Sequence, residues 1–154
     1  MTNNDILRRL RYTFDFNDTK MIDLFALGGT ELTREQVSDW LKKDDDPAFQ
    51  VCNDTSMATF LNGLIVKNRG KKDGPQPEPE KRLTNNIILK KLRIALNLKE
   101  DGMLEILGLA DTSMSKHELS AFFRNPGHKN FRECKDQVLR NFLKGMQLKY
   151  RAEE

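Results

Sequence analysis

The chain has 154 residues, 38% of them hydrophobic and 32% charged, with a mean hydropathy of −0.66, a balance that fits a folded globular protein and excludes a disordered one. No apolar run approaches the roughly 20 residues that cross a bilayer, and the start, MTNNDILRRLRYTF, lacks the basic head, apolar core and cleavage site of a secretory leader, so a cytoplasmic protein without a membrane partner is expected. The net charge of +3 is a weak footprint for nucleic acid, but it is unevenly spread: residues 1–69 carry 9 Lys and Arg against 11 Asp and Glu, whereas residues 85–154 carry 13 against 9.

In chain order, Leu7, Leu10 and Phe14 recur at spacings of three and four behind Thr2 and Asn3, which predicts a capped first helix. A second helix is predicted over about 18–27, ending near Gly28. The third opens at Thr33, where Thr33-x-x-Gln36 is a capping box and Leu32 and Val37 form the hydrophobic staple across the start. With the turn GGTEL before it, this pair has a helix-turn-helix-like outline. The outward residues Arg34, Lys42 and Lys43 nevertheless meet Glu35, Asp39 and the run Asp44 to Asp46, an acid surplus that makes this half a poor reader of phosphate. A fourth helix begins near Asp54, read as its cap, and carries Phe60, Leu61 and Leu64. The glycine inside it, Gly63, predicts close approach of another backbone.

The next stretch, GKKDGPQPEPEKR, has three prolines within five residues and predicts an extended, semi-rigid connector over 70–83. Beyond it the sequence repeats itself at an offset of 82 without a gap: TNNDILRRLRYTF lies over TNNIILKKLRIAL, FQVCND over FRECKD, and FLNGLIVKNR over FLKGMQLKYR. The second copy reproduces the capping box as Ser115-x-x-Glu118, the staple as Met114 and Leu119, the fourth-helix acid as Asp136 and its glycine as Gly145. The expected fold is therefore all-α, a tandem duplication of a four-helix module, with repeats at 1–69 and 84–152 packed about a pseudo-two-fold axis.

Cys52 and Cys134 share one repeat position. Zinc spacing is missing, and the two histidines, His117 and His128, both fall in the second copy, so buried structural thiols are expected. Arg11 and Arg93, which recur beside the first stripe, are expected to answer an acid in their own copies. No phosphate loop, nucleophile elbow, H-E-x-x-H or EF-hand pattern occurs, so no catalytic, cofactor-binding or metal-ligating residue is nominated and an enzyme is not the first expectation. The basic end of the second copy offers Lys116, Arg124, His128, Lys129 and Arg132 as candidate nucleic-acid or anion contacts.

Taken together, NNDILRRLRYTFDFND, LTREQVSDWLKKDDDPAF, the C-x-D step and FLNGLIVKNRG, each with its second version, resemble the bacterial YehS-like family (domain of unknown function 1456) over essentially the whole chain. The resemblance implies a duplicated cytoplasmic helical protein and supplies no catalytic residues; the second copy departs from it where RNPGHKN replaces KKDDDPA. The leading expectation is a non-enzymatic interaction module binding a protein partner or a second copy of itself. The alternatives are weak DNA or RNA binding through the second repeat, and a small-molecule sensor or enzyme with a pocket between the repeats.

Overall fold

The computed structural model describes residues 1–151, so the expected end of the second repeat at residue 152 lies outside the described residues. Among these there are eight helices and no strand: α1 (Asn3–Phe14), α2 (Asp18–Leu27), α3 (Arg34–Leu41), α4 (Asp54–Arg69), α5 (Asn85–Ala95), α6 (Glu100–Leu109), α7 (Lys116–Ala121) and α8 (Asp136–Tyr150). None of them is long and apolar enough to cross a membrane.

Helix starts follow the local chemistry. The Thr33/Gln36 and Ser115/Glu118 capping boxes both form, each pairing a hydroxyl with a backbone N–H and an N3 side chain with the cap's own N–H. Thr2 adds a third box with Asp5, and Thr84 caps α5 by accepting from the Ile87 N–H. Asp54 and Asp136, expected to cap the fourth helices, do not. The cap of α4 is Asn53, Lys135 stands at the start of α8 without a side-chain capping bond, and each aspartate is the first residue inside its helix.

The repeated Thr-Asn-Asn does more than cap. Asn4 donates to the carbonyls of Trp40 (2.9 Å) and Gln50 (2.8 Å) and accepts from the Cys52 N–H (3.0 Å). Asn86 repeats this on Phe122, Arg132 and Cys134, each at 2.9 Å. The neighbouring asparagine ties the fourth helix down, Asn3 to Cys52 O and Asp54, Asn85 to Cys134 O and Asp136. A short amide thus satisfies backbone groups of the non-helical segment leading to each buried cysteine, groups that no helix or strand pairs.

Within each repeat, α4 packs on α2 and α8 on α6. The glycines set how closely. A Cβ on Gly63 would fall 1.7 Å from the Leu24 carbonyl oxygen, and one on Gly145 would fall 1.9 Å from that of Ile106, the matching residue of the other copy. The close approach predicted from the sequence is therefore made inside each repeat.

Between repeats, the first helix of each copy packs along the fourth helix of the other: α5 on α4, and α1 on α8. The exchange is reciprocal. The Leu83 N–H donates to Asp54 at 2.9 Å and the Met1 nitrogen to Asp136 at 3.0 Å, so each aspartate bridges to the residue just before the other copy's first helix. At the far ends, Asn68 donates to the Ala95 carbonyl (2.8 Å) and Arg151 to that of Tyr12. Starts meet starts and ends meet ends, so both pairs are parallel, and the two-fold relation swaps them. The buried side chains of both copies join in one cluster that includes Leu7, Phe60, Leu89 and Phe142.

Candidate functional site

The two cysteines are part of this framework. Both are buried and free, and burial pushes the thiols up, Cys52 to about 12 and Cys134 to about 11, so neither is an accessible thiolate near neutral pH. The recurrent arginines do not answer acids. Arg93 donates to the Leu98 carbonyl at 3.1 Å and lies 4.8 Å over the Phe123 ring, and neither it nor Arg11 is in an ion pair among the described residues. No three His, Cys, Asp or Glu side chains among the described residues are grouped so as to hold a metal ion.

The five residues nominated from the sequence spread over the α7 end of the second repeat. Lys116 pairs with Asp101 (3.2 Å) and Arg132 with Glu118 (3.5 Å). Glu118 is already held by the Ser115 backbone and hydroxyl, which, with Arg132, keep its carboxyl below the usual range. Arg124 closes its own loop on the Asn130 carbonyl at 3.0 Å, and the His128 ring nitrogen Nδ1 accepts from the Asn130 N–H at the same distance. Lys129 is exposed and outside any ion pair among the described residues. Arg124 alone of the five lines the neighbouring hollow of about 880 Å³, with Lys90, Phe123 and Phe131. At the α3 end of the first repeat, Arg34 pairs with Asp18 (3.8 Å) and the C-cap Lys42 with Asp39 (2.6 Å), while Lys43 has no ion-pair partner among the described residues.

A different basic surface lies between the repeats. Along the α1/α8 pair runs an open groove of about 630 Å³, lined on one side by Asp5, Arg8, Arg9 and Tyr12 and on the other by Gln137, Arg140, Asn141 and Lys144. Arg8 is used internally, on Asp5 (2.6 Å) and on the Lys42 carbonyl (2.6 Å). Arg9, Arg140 and Lys144 have no ion-pair or hydrogen-bond partner among the described residues, although Arg140 feels the Asp136 carboxylate one turn earlier on α8, and all three face one groove. Tyr12 closes its end, 49% exposed, with the Arg151 guanidinium 3.7 Å from its ring centroid. Period analysis of a single helix could not show this groove, because half of it comes from each copy and the pairing exchanges them.

Its twin is the α4/α5 groove, which the connector covers. Lys72, Gln76, Pro77 and Glu80 line a remaining space of about 290 Å³ together with Asn62, Ile65 and Lys91. Lys91 donates to the Asn62 oxygen at 2.6 Å and sits 3.0 Å from a Glu80 carboxylate oxygen, its side chain only 12% exposed. That last contact is a charge contact without hydrogen-bond alignment, since the same oxygen has no hydrogen-bond partner. At the offset of 82, Lys91 matches Arg9, Asn62 matches Lys144 and Ala58 matches Arg140.

The family described as "Protein of unknown function (DUF1456)" matches residues 3–70 and again residues 85–152. A relative named "Uncharacterized protein YehS", from Escherichia coli (strain K12), is 50% identical over 147 residues, covering 95% of this chain and 94% of its own. No solved structure matches the chain. With both repeats matched, the chain belongs to the DUF1456 family, each repeat being one copy of the family's unit.

Proposed function

We propose that this protein is a non-enzymatic interaction module that binds a negatively charged protein partner in the groove between α1 and α8. The observation that carries this is the convergence of Arg9, Arg140 and Lys144, none of them paired among the described residues, beside the half-exposed ring of Tyr12. Cations without an ion-pair or hydrogen-bond partner among the described residues give up no internal bond when an acid arrives, which favours association over fold stability. The cysteines and most of the repeated polar residues serve the framework, leaving recognition as the role of this surface.

The test is binding of fluorescent polyglutamate to the protein across a salt series starting near ~50 mM, where charge contacts are little screened. Salt-dependent binding that is lost in the Arg9→Glu/Arg140→Glu/Lys144→Glu variant supports the proposal. Absence of binding, or binding indifferent to that variant, overturns it.

A second reading, DNA or RNA binding through the second repeat, draws on the hollow where Lys90 and Arg124 lie with Phe123 and Phe131, cations beside rings on which bases could stack. Lys129 and His128 would extend it, whereas Lys116 and Arg132 are held by acids. A salt-dependent gel shift that Arg124→Ala and Lys129→Ala weaken, and that the α1/α8 variant does not, would favour this reading.

A further inference from the structure

We infer that the ligand of the α1/α8 groove is an extended, proline-interrupted acidic peptide, the chemistry that residues 74–80 of the protein's own connector supply to the twin groove. This rests on the interaction-module reading and specifies its partner.

The two grooves are the same construction used twice. In each, a parallel pair of helices presents matched positions, yet only one crossing of the duplicated chain needs a connector. That connector runs from the end of α4 back to the start of α5, and on its way Pro77 lines the α4/α5 groove and Glu80 sets its carboxylate beside Lys91. Pro75, Pro77 and Pro79 keep such a segment extended and free of helix, so little chain entropy is lost when it lies in a groove.

The consequence is visible on the fourth helices. α4 is buried without a break from Met57 to Leu64, whereas α8 buries only one stripe, Leu139, Phe142, Leu143, Gly145 and Met146. Where α4 has the buried Ala58 and Asn62, α8 has the exposed Arg140 and Lys144. The open groove thus keeps the site of the lysine that meets Glu80, as Arg9, and adds two cations where its twin has an alanine and an amide. Its fit is to a segment at least as acidic as QPEPE. A duplex backbone fits less well: both walls are helices, and the twin shows a single extended chain lying between them.

The connector itself supplies the probe. The peptide GPQPEPE, residues 74–80, is titrated into the isotopically labelled full-length protein and followed by amide chemical shifts. Shifts along α1 and α8 are expected, with binding weakened about tenfold or more by Arg9→Gln with Lys144→Gln, and by the peptide's own Glu→Gln form. These variants sit on the surface, and an unchanged unfolding temperature confirms that they fold. Shifts confined to α4 and α5, meaning displacement of the connector, overturn the assignment. So does an absence of shifts at millimolar peptide. If the peptide fails while polyglutamate still binds this groove, the peptide inference falls and the interaction reading survives; if both fail, both fall. Preference of the groove for a single-stranded oligonucleotide over the peptide also overturns it.

Discussion

The α4/α5 and α1/α8 pairs descend from one arrangement, and they differ because a duplicated chain can be joined only once. The joined pair is roofed, and beside Lys90 and Lys91 its walls carry the apolar or neutral Ile87, Ile94, Val66 and Asn62. The unjoined pair carries Asp5, Tyr12, Leu148 and Lys144 at the same positions. Divergence between the copies therefore tracks exposure, while the positions that hold each copy together stay the same. Variants made in matched pairs separate the two kinds of position.

The largest effects should be equal in both copies. Asn4→Ala and Asn86→Ala each strip partners from one buried N–H and from two carbonyls, mostly part-buried. With roughly 1–3 kcal/mol for each group left unsatisfied, relieved in part by water, a loss of about 3–4 kcal/mol is expected from either. Denaturant unfolding measures it, and a much smaller loss in one copy would break the symmetry argument. Gly63→Ala and Gly145→Ala come next. Alanine gains about 1 kcal/mol in helix propensity, but its Cβ cannot sit under 2 Å from a carbonyl oxygen, so helices must part and a net loss of about 2–3 kcal/mol is expected in each.

These two sets also mark what could be read beforehand. The repeat offset, the capping boxes, the mid-helix glycines and the buried thiols were all legible, because each is a local pattern written twice. The asparagine clamps were not: Asn3 and Asn4 look like capping residues until the segment 50–52, far along the chain, is brought against them. Asp54 misled for the same reason, since an acid at a helix start suggests a cap, whereas its partners are Asn3, far back in the chain, and the Leu83 N–H at the end of the connector. The cationic groove was hidden most thoroughly, because Arg9 and Lys144 become neighbours only through the exchange of first helices. Charge counting pointed instead to the α7 end, where cations cluster in sequence but Lys116 and Arg132 are answered by acids in space.

The thiols give an alkaline test that should again be shared by the copies. An unfolded thiol titrates near its ordinary 9.0, and the folded ones at about 12 and about 11. Folding therefore favours the protonated form: the contribution is complete below pH 9 and is lost as pH rises from 9 through the folded values. One pH unit above 9, each thiol should account for on the order of 1 kcal/mol of lost stability. Urea midpoints measured between pH 8 and pH 10 should fall, and the fall should be reduced by Cys52→Ala or Cys134→Ala and most by both, the remainder coming from groups also raised on folding, such as Tyr150. An undiminished alkaline loss in the double variant would assign it to other groups.

The smallest effect is the one that separates the grooves. Lys91 and Arg9 are the same repeat position, on α5 and α1. Lys91→Ala takes a largely buried ammonium from Asn62 and Glu80 and leaves an amide oxygen and a carboxylate without their cation, a loss of about 1–2 kcal/mol. Arg9→Ala removes a side chain with no partner among the described residues, from a groove already crowded with positive charge, so stability should change by no more than about 0.5 kcal/mol and can rise as repulsion is relieved. The contrast should widen at low salt, where the repulsion among Arg9, Arg140 and Lys144 is least screened. Equal losses at the two positions would mean that Arg9 already has an internal acid, and a groove whose cations are satisfied from within has nothing left to offer a partner.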